Sequence, residues 1–152
     1  MIRKYVIFIV IILLTMYTTE TNIRVRYGET DQMGYAYYAN YALYFEVGRT
    51  EMLRSLGFTY REWEEKGILL PVKSLSIDYI SPARYDDLLT IRTTVIELPS
   101  ARITFGYEVL NEKKQLICTG RTVLVFVDAA SRRPSRPPES FLAILKKRSA
   151  TS

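Results

Sequence analysis

The sequence predicts an α+β protein, and three patterns predict it. Near its start, Ile23-Arg24-Val25-Arg26-Tyr27 alternates apolar and basic residues, the mark of a half-buried strand. From Asn40 to Gly57 the apolar residues recur at helical spacing over a long stretch. After Gly67 the chain reads as β-structure punctuated by turns. One strand, one long helix and then a succession of strands is the order of an α+β domain.

Each element has its own signal. In the helix, Tyr41, Tyr44, Phe45, Gly48, Met52 and Leu56 make the repeat, and Leu43, Val47 and Leu53 widen it into a broad apolar face. Asn40 is the predicted N-cap and Gly57 the predicted stop. Glu46, Arg49 and Glu51 are expected to face solvent or an interface. Thr59 and Glu62 form a T-x-x-E capping box for a short second helix that contains Trp63 and ends at Gly67. Leu75, Ile77 and Tyr79 then alternate with Ser74, Ser76 and Asp78. A turn over Ser81–Asp87 leads to a strand from Leu88 to Glu97, and Leu98–Ala101 makes the next turn. Ile103, Phe105, Tyr107 and Val109 alternate with Thr104, Gly106 and Glu108. The nearly continuous apolar run from Leu116 to Val127 predicts a strand buried on both faces. Pro134, Pro137 and Pro138 mark an extended connection, and Pro138–Lys147 is expected to form a short terminal helix.

Composition removes several kinds of chemistry. The chain has 152 residues, 48% hydrophobic and 24% charged, an ordinary single-domain content. It contains no histidine. That excludes a Ser-His-Asp triad, a Cys-His pair and the zinc sites that use histidine. Proton transfer near neutral pH therefore falls to a carboxylate, a lysine, a tyrosine or water. Cys118 is the single cysteine, so no intramolecular disulfide can form. Its setting in Leu116-Ile117-Cys118 predicts a small buried hydrophobe. The net charge of +5 is concentrated late in the chain, in Arg132, Arg133, Arg136, Lys146, Lys147 and Arg148. This is either a solvated tail or a landing site for phosphates, and no nucleic-acid motif accompanies it.

The first residues stand apart. Arg3 and Lys4 precede the apolar run Tyr5–Leu14, which resembles the start of a signal peptide. The run is shorter than the ~20 residues needed to span a bilayer, and no small-x-small cleavage site follows in Thr15-Met16-Tyr17-Thr18-Thr19. Three readings stay open: Met16 as the true start, an export or membrane-tethering signal, and a genuine structural element. Residues 1–20 are accordingly taken as an extension, 21–145 as the domain and 146–152 as a basic tail. The expected location is cytoplasmic, or exported or tethered if the apolar segment is genuine.

The chemistry concentrates in Tyr27-Gly28-Glu29-Thr30-Asp31-Gln32-Met33-Gly34-Tyr35-Ala36-Tyr37-Tyr38-Ala39-Asn40-Tyr41. Asp31 lies in a short loop between strand and helix, where it can hold an Asx turn or act as a catalytic carboxylate. Gly34 permits a sharp turn and close approach of a ligand, or serves the loop alone. Tyr35, Tyr37, Tyr38, Tyr41 and Tyr44 are expected either to pack between helix and sheet or to line a pocket.

Thr30-Asp31, Gly34 three residues on, and Asn40-Tyr41 opening the helix resemble the signature of hotdog-fold acyl-CoA thioesterases, the 4-hydroxybenzoyl-CoA thioesterase and YbgC-like group. The resemblance extends from about Ile23 to about Phe141. It implies a hotdog fold, an antiparallel sheet wrapped around a long central helix, assembled as a homodimer or homotetramer. It implies a short-to-medium-chain or aromatic acyl-CoA as substrate, with no metal and no cofactor beyond the coenzyme A of the substrate itself. Asp31 would act as general base on water or as nucleophile, with Gly34 shaping the loop. The Tyr38 backbone amide, at the helix N-terminus, would meet the oxyanion. Tyr38 stands where YbgC-like members usually carry histidine, which weakens the transfer of their roles to this chain. Tyr35 and Tyr41 would contact substrate, and Arg102, Arg132 and Arg133 would hold the coenzyme A phosphates, with Arg84 and Arg136 as further candidates. Acyl carrier protein is an alternative carrier, and a non-catalytic acyl-thioester-binding protein is a third reading.

Overall fold

The computed structural model describes residues 17–150, so the expectations for residues 1–16 lie outside it. Five strands, β1 (Tyr17–Arg24), β3 (Val72–Tyr79), β4 (Leu88–Val95), β5 (Arg102–Leu110) and β6 (Leu116–Val125), form one antiparallel sheet in the order β1-β4-β5-β6-β3. Two short strands, β2 (Ile68–Leu69) and β7 (Val127–Asp128), pair separately. Three α-helices complete the domain: α1 (Asn40–Ser55), α2 (Tyr60–Glu65) and α3 (Glu139–Ser149).

The first strand lies earlier than the alternation at Ile23–Tyr27 predicts. Tyr17–Arg24 alternates half-buried and exposed residues and is in continuous register with β4, from Tyr17 opposite Val95 to Arg24 opposite Leu88. Its buried row includes threonines, which are β-branched and suit a pleated surface but carry no apolar signal. Beyond Arg24 the chain leaves the sheet, and Tyr27–Glu29 forms a single 3₁₀ turn.

The central helix buries Tyr41, Tyr44, Phe45, Gly48, Met52, Leu53 and Leu56, as its periodicity predicts. Leu43 and Val47 do not join them and are 53% and 39% exposed. Arg49 is buried instead, and its Nε donates to the Tyr60 hydroxyl at 3.2 Å. At about 100° per residue, Arg49 shares the face of Phe45 one turn earlier, whereas Leu43 and Val47 fall on the opposite side.

Two glycines set how closely the helix approaches the sheet. A Cβ on Gly48 would collide with Ile91 and Thr93 of β4, and one on Gly120 of β6 would collide with the Phe45 ring. Phe45 is fully buried and stacks on Tyr107 of β5, with centroids 4.2 Å apart and an interplanar angle of 5°.

Ala39, not Asn40, occupies the cap position of α1, and it makes no side-chain cap bond. At the other end, the Gly57 and Phe58 amides donate to Arg54 and Leu53 carbonyls at 2.9 Å each, which closes the helix. The predicted α2 cap is present, with Thr59 Oγ1 accepting from the Glu62 amide at 3.2 Å. Trp63 of α2 packs against Phe58, Phe126 and Phe141 of α3. Lys146, Lys147 and Arg148 form the last turn of α3 rather than a free tail.

The apolar run at Leu116–Val125 is not buried on both faces. Cys118, Thr122 and Leu124 are buried, while Arg121 is exposed and Thr119, Val123 and Val125 are half-exposed. Cys118 is the small buried residue its setting predicts, and burial pushes its thiol up to about 12. No helix among the described residues is long and apolar enough to cross a membrane.

Candidate active site

The loop between the 3₁₀ turn and α1 is built around Asp31. Its Oδ1 accepts from the Met33 amide at 2.9 Å and from the Tyr35 amide at 3.1 Å. Its own N–H donates to the Tyr35 carbonyl at 2.8 Å, and its carbonyl accepts from the Gly34 amide at 2.9 Å. This turn needs a left-handed residue, and Gly34 supplies it with φ +78°. One carboxylate oxygen thus holds the loop. The other, Oδ2, makes no hydrogen bond to any described residue. The Asx-turn role and an available carboxylate oxygen coexist in one side chain.

The loop is fastened on both sides. Thr30 bridges Ala36, Tyr35 bridges Arg84, and the Ala36 amide donates to the Ala83 carbonyl at 2.7 Å. The Arg84 guanidinium lies 5.0 Å from the centroid of the Tyr35 ring, a cation–π contact.

At the helix entrance, the Asn40 amide donates to the Tyr37 carbonyl at 2.9 Å. The N–H and C=O of one trans peptide point in opposite directions. The Tyr38 amide, in the same peptide unit as the Tyr37 carbonyl, therefore points away from that turn. The Tyr79 hydroxyl donates to the Tyr38 carbonyl at 2.8 Å and so orients the following peptide, which carries the Ala39 amide. Neither the Tyr38 nor the Ala39 amide has an acceptor among the described residues. The Ala39 amide is at the cap position of α1 and the Tyr38 amide directly precedes it, near the end of the helix where the backbone partial charge is positive.

A cavity of about 300 Å³ lies beside Asp31 and Tyr38, and Ala39 does not line it. Asp31, Tyr35, Tyr38, Tyr41, Tyr79 and Ile80 are among its walls. Tyr41 and Tyr79 meet edge to face at 5.4 Å, and Tyr38 and Tyr79 at 6.5 Å. Burial pushes the Tyr41 phenol up to about 12, so it stays neutral at working pH. The walls are aromatic with a few polar tips, a composition suited to a small organic group. Among the described residues no cluster of His, Cys, Asp or Glu is arranged to hold a metal ion.

Asp31, Tyr35, Tyr38 and Tyr41 are thus brought together, with Gly34 shaping their loop. The arginines are placed elsewhere. Arg102 opens β5 opposite Val125, whereas the cavity lies beside Tyr79, which pairs with Cys118. Those positions are seven steps apart along β6, about 23 Å at about 3.3 Å per step. Arg132, with φ +58°, and Arg133 lie in the turn after β7 and do not line the cavity. Arg84, beside Tyr35, is the cation on the loop's own flank. Tyr79 has no local sequence signal for the site, since its contact to Tyr38 spans 41 residues.

Residues 25–145 match the sequence profile of the thioesterase-like superfamily. The acyl-CoA thioesterase YbgC of Haemophilus influenzae is 38% identical over 123 residues, covering 80% of this chain and 89% of that protein. YneP of Bacillus subtilis is 35% identical over 126 residues, covering 83% of this chain and 91% of that protein. The crystal structure of the DHNA-CoA thioesterase of Staphylococcus aureus superposes with a TM-score of 0.75 at 37% identity, covering 78% of this chain and 80% of that one. The five-stranded antiparallel sheet with its helix is the hotdog fold of these structures. Fold, loop and sequence agree, and the chain belongs to the thioesterase-like superfamily, a family of thioester hydrolases.

Proposed function

We propose that the chain hydrolyses acyl-CoA thioesters in the cavity beside Asp31. The observation that carries this reading is the meeting, on one cavity, of Asp31, which keeps one carboxylate oxygen free of hydrogen bonds, and Tyr38, whose backbone amide has no acceptor among the described residues. Thioester hydrolysis needs those two things: activation of a nucleophile and stabilisation of the oxyanion.

In this reading the thioester carbonyl oxygen is received by the Tyr38 amide. Asp31 takes a proton from water as it attacks the carbonyl carbon, or attacks that carbon itself to give a mixed anhydride that water then opens. Collapse of the tetrahedral intermediate expels the coenzyme A thiolate, which takes up a proton; it leaves the free acid in the first route and the anhydride in the second, which water splits into the free acid and Asp31. No cofactor or metal takes part. Tyr35 and Tyr41 flank the acyl group, and the small aromatic-walled cavity favours a short or aromatic acyl chain. The phosphates of coenzyme A lie a pantetheine arm away from the thioester. Arg102, Arg132 and Arg133, remote from Asp31, are offered for that role in the same or a second copy.

Assembly as a homodimer belongs to the same proposal. β3 is an edge strand of the sheet, with Val72 48% and Leu75 44% exposed, and unpaired apolar edges favour pairing with another chain.

The test is release of free thiol over a panel of aliphatic and aromatic acyl-CoAs, for wild type and Asp31→Asn. A loss of ~10²–10⁴-fold in kcat is expected for the variant. Undiminished turnover would remove Asp31 from the chemistry. Comparing one acyl chain on coenzyme A and on acyl carrier protein identifies the carrier.

A further inference from the structure

We propose that Glu29 is the positioning residue of this site, holding the Asp31 loop in register with the Tyr38 amide ahead of α1. The proposal rests on the assignment of chemistry to Asp31.

Glu29 touches the site from behind and does not line the cavity. Its side chain is 11% exposed. Oε2 accepts from the Arg26 amide at 2.8 Å and from the Tyr44 hydroxyl at 3.0 Å, and Oε1 accepts from Arg26 Nε at 2.9 Å. Its carbonyl oxygen accepts twice more, from the Tyr37 amide at 2.8 Å and from Asn40 Nδ2 at 2.7 Å. Tyr44 is buried on α1, one turn beyond Asn40.

One residue therefore ties together three pieces of chain. The carboxylate grips the helix through Tyr44. The carbonyl grips the helix through Asn40 and the returning arm of the loop through Tyr37. Asp31 lies on the chain between Glu29 and Tyr37, and the Tyr38 amide follows directly after Tyr37. The separation of the Asp31 carboxylate and the Tyr38 amide is thus set by bonds that converge on Glu29.

The contacts demand an acceptor at every position. A carboxylate offers only acceptors, while a primary amide presents donors from one end. Glutamine at this position would set an N–H₂ against either Arg26 Nε or the pair of donors at Oε2. Burial opposes the charge of Glu29, but the Arg26 amide, the Arg26 guanidinium and the Tyr44 phenol outweigh it and hold the carboxyl below its ordinary range. Arg26 and Tyr44 are also the charged and titratable groups that face it, with Tyr41 beside Tyr44.

The experiment compares Glu29→Gln, Tyr44→Phe, Asp31→Asn and the Glu29→Gln/Asp31→Asn double variant in thiol release on the best acyl-CoA of the panel. Thermal unfolding fixes a temperature at which each variant is folded. Glu29→Gln is expected to lower kcat about tenfold or more, the loss of roughly one charge-assisted hydrogen bond. KM should change by less than about twofold, because the lost interaction sets the reacting geometry rather than ground-state binding. Tyr44→Phe keeps the buried ring, removes one donor, and should shift kcat in the same direction by less. In the Asp31→Asn background Glu29→Gln should cost little further, since both act on one arrangement. A folded Glu29→Gln enzyme with wild-type kcat overturns the proposal, as does full additivity with Asp31→Asn. If Glu29→Gln does not fold, a wild-type kcat in Tyr44→Phe overturns it. Wild-type turnover in Asp31→Asn would instead sink the assignment of Asp31, a separate failure.

Discussion

The two ends of α1 are both surrounded by aromatic rings, yet they are finished in opposite ways. At the C-terminal end, Gly57 and Phe58 return amides to the last carbonyls. Phe58, Trp63, Phe126 and Phe141 then pack over that end with centroids 5.1 to 6.4 Å apart. At the N-terminal end the rings are tyrosines, several of them partly exposed, and the Tyr38 and Ala39 amides have no acceptors among the described residues. One end of the helix satisfies its backbone and excludes water. The other keeps donors and a carboxylate oxygen available around a cavity. Apolar rings at a closed end contribute stability, whereas hydroxylated rings at an open end hold space and orientation for a ligand.

This contrast can be broken by substitutions that separate stability from rate. The largest expected effect is at the closed end. Trp63→Ala should cost about 3–5 kcal/mol of stability through the cavity it leaves. Its kcat, measured where the variant is folded, should stay within about twofold of wild type. A selective loss of rate without a fall in melting temperature would contradict the division of labour. Midway along the helix, Gly120→Ala tests the closeness of helix and sheet. Its Cβ would enter the fully buried Phe45 ring, which is stacked on Tyr107 and has little room to retreat. A destabilisation of about 1–3 kcal/mol is expected from overpacking, read as a lower midpoint in denaturant. An unchanged midpoint would mean that the ring moves freely.

The smallest effect belongs to the open end. Tyr79→Phe removes the hydrogen bond to the Tyr38 carbonyl and keeps the ring. Stability should change by about 1 kcal/mol or less, since the group is near solvent. The rate should fall by several-fold up to about tenfold, because Tyr38, whose amide faces the substrate in the proposed reaction, loses its tether. Equal rates for Tyr79→Phe and wild type would remove Tyr79 from the site's support.

Much of this molecule is legible along the chain. The central helix, its stop at Gly57, the Thr59 cap and the terminal helix after Pro138 follow from local residue types, because helix periodicity and end signals act within a few residues. Among the strands after Gly67, β3 and β5 follow from alternation, whereas the apolar run of β6 marks the strand and not its one-sided burial. The early strand was less legible, since Tyr17–Arg24 is rich in polar β-branched residues that only pairing with β4 reveals as a strand.

What the sequence determined by itself is the set of available chemistry: no imidazole, one cysteine, and Asp31 with Gly34 in a turn ahead of a helix. Hydrogen-bond chemistry of that turn is local, so its residues declare it. What only the tertiary structure decided is which groups share the cavity and which stand apart. It buried Arg49 and exposed Leu43 and Val47, brought Tyr79 across from an edge strand, made Glu29 the meeting point behind the loop, and left Arg102 about 23 Å away along β6. Those placements depend on how a helix is rotated against a sheet and which strands become neighbours, and such long-range geometry has no signature in adjacent residues.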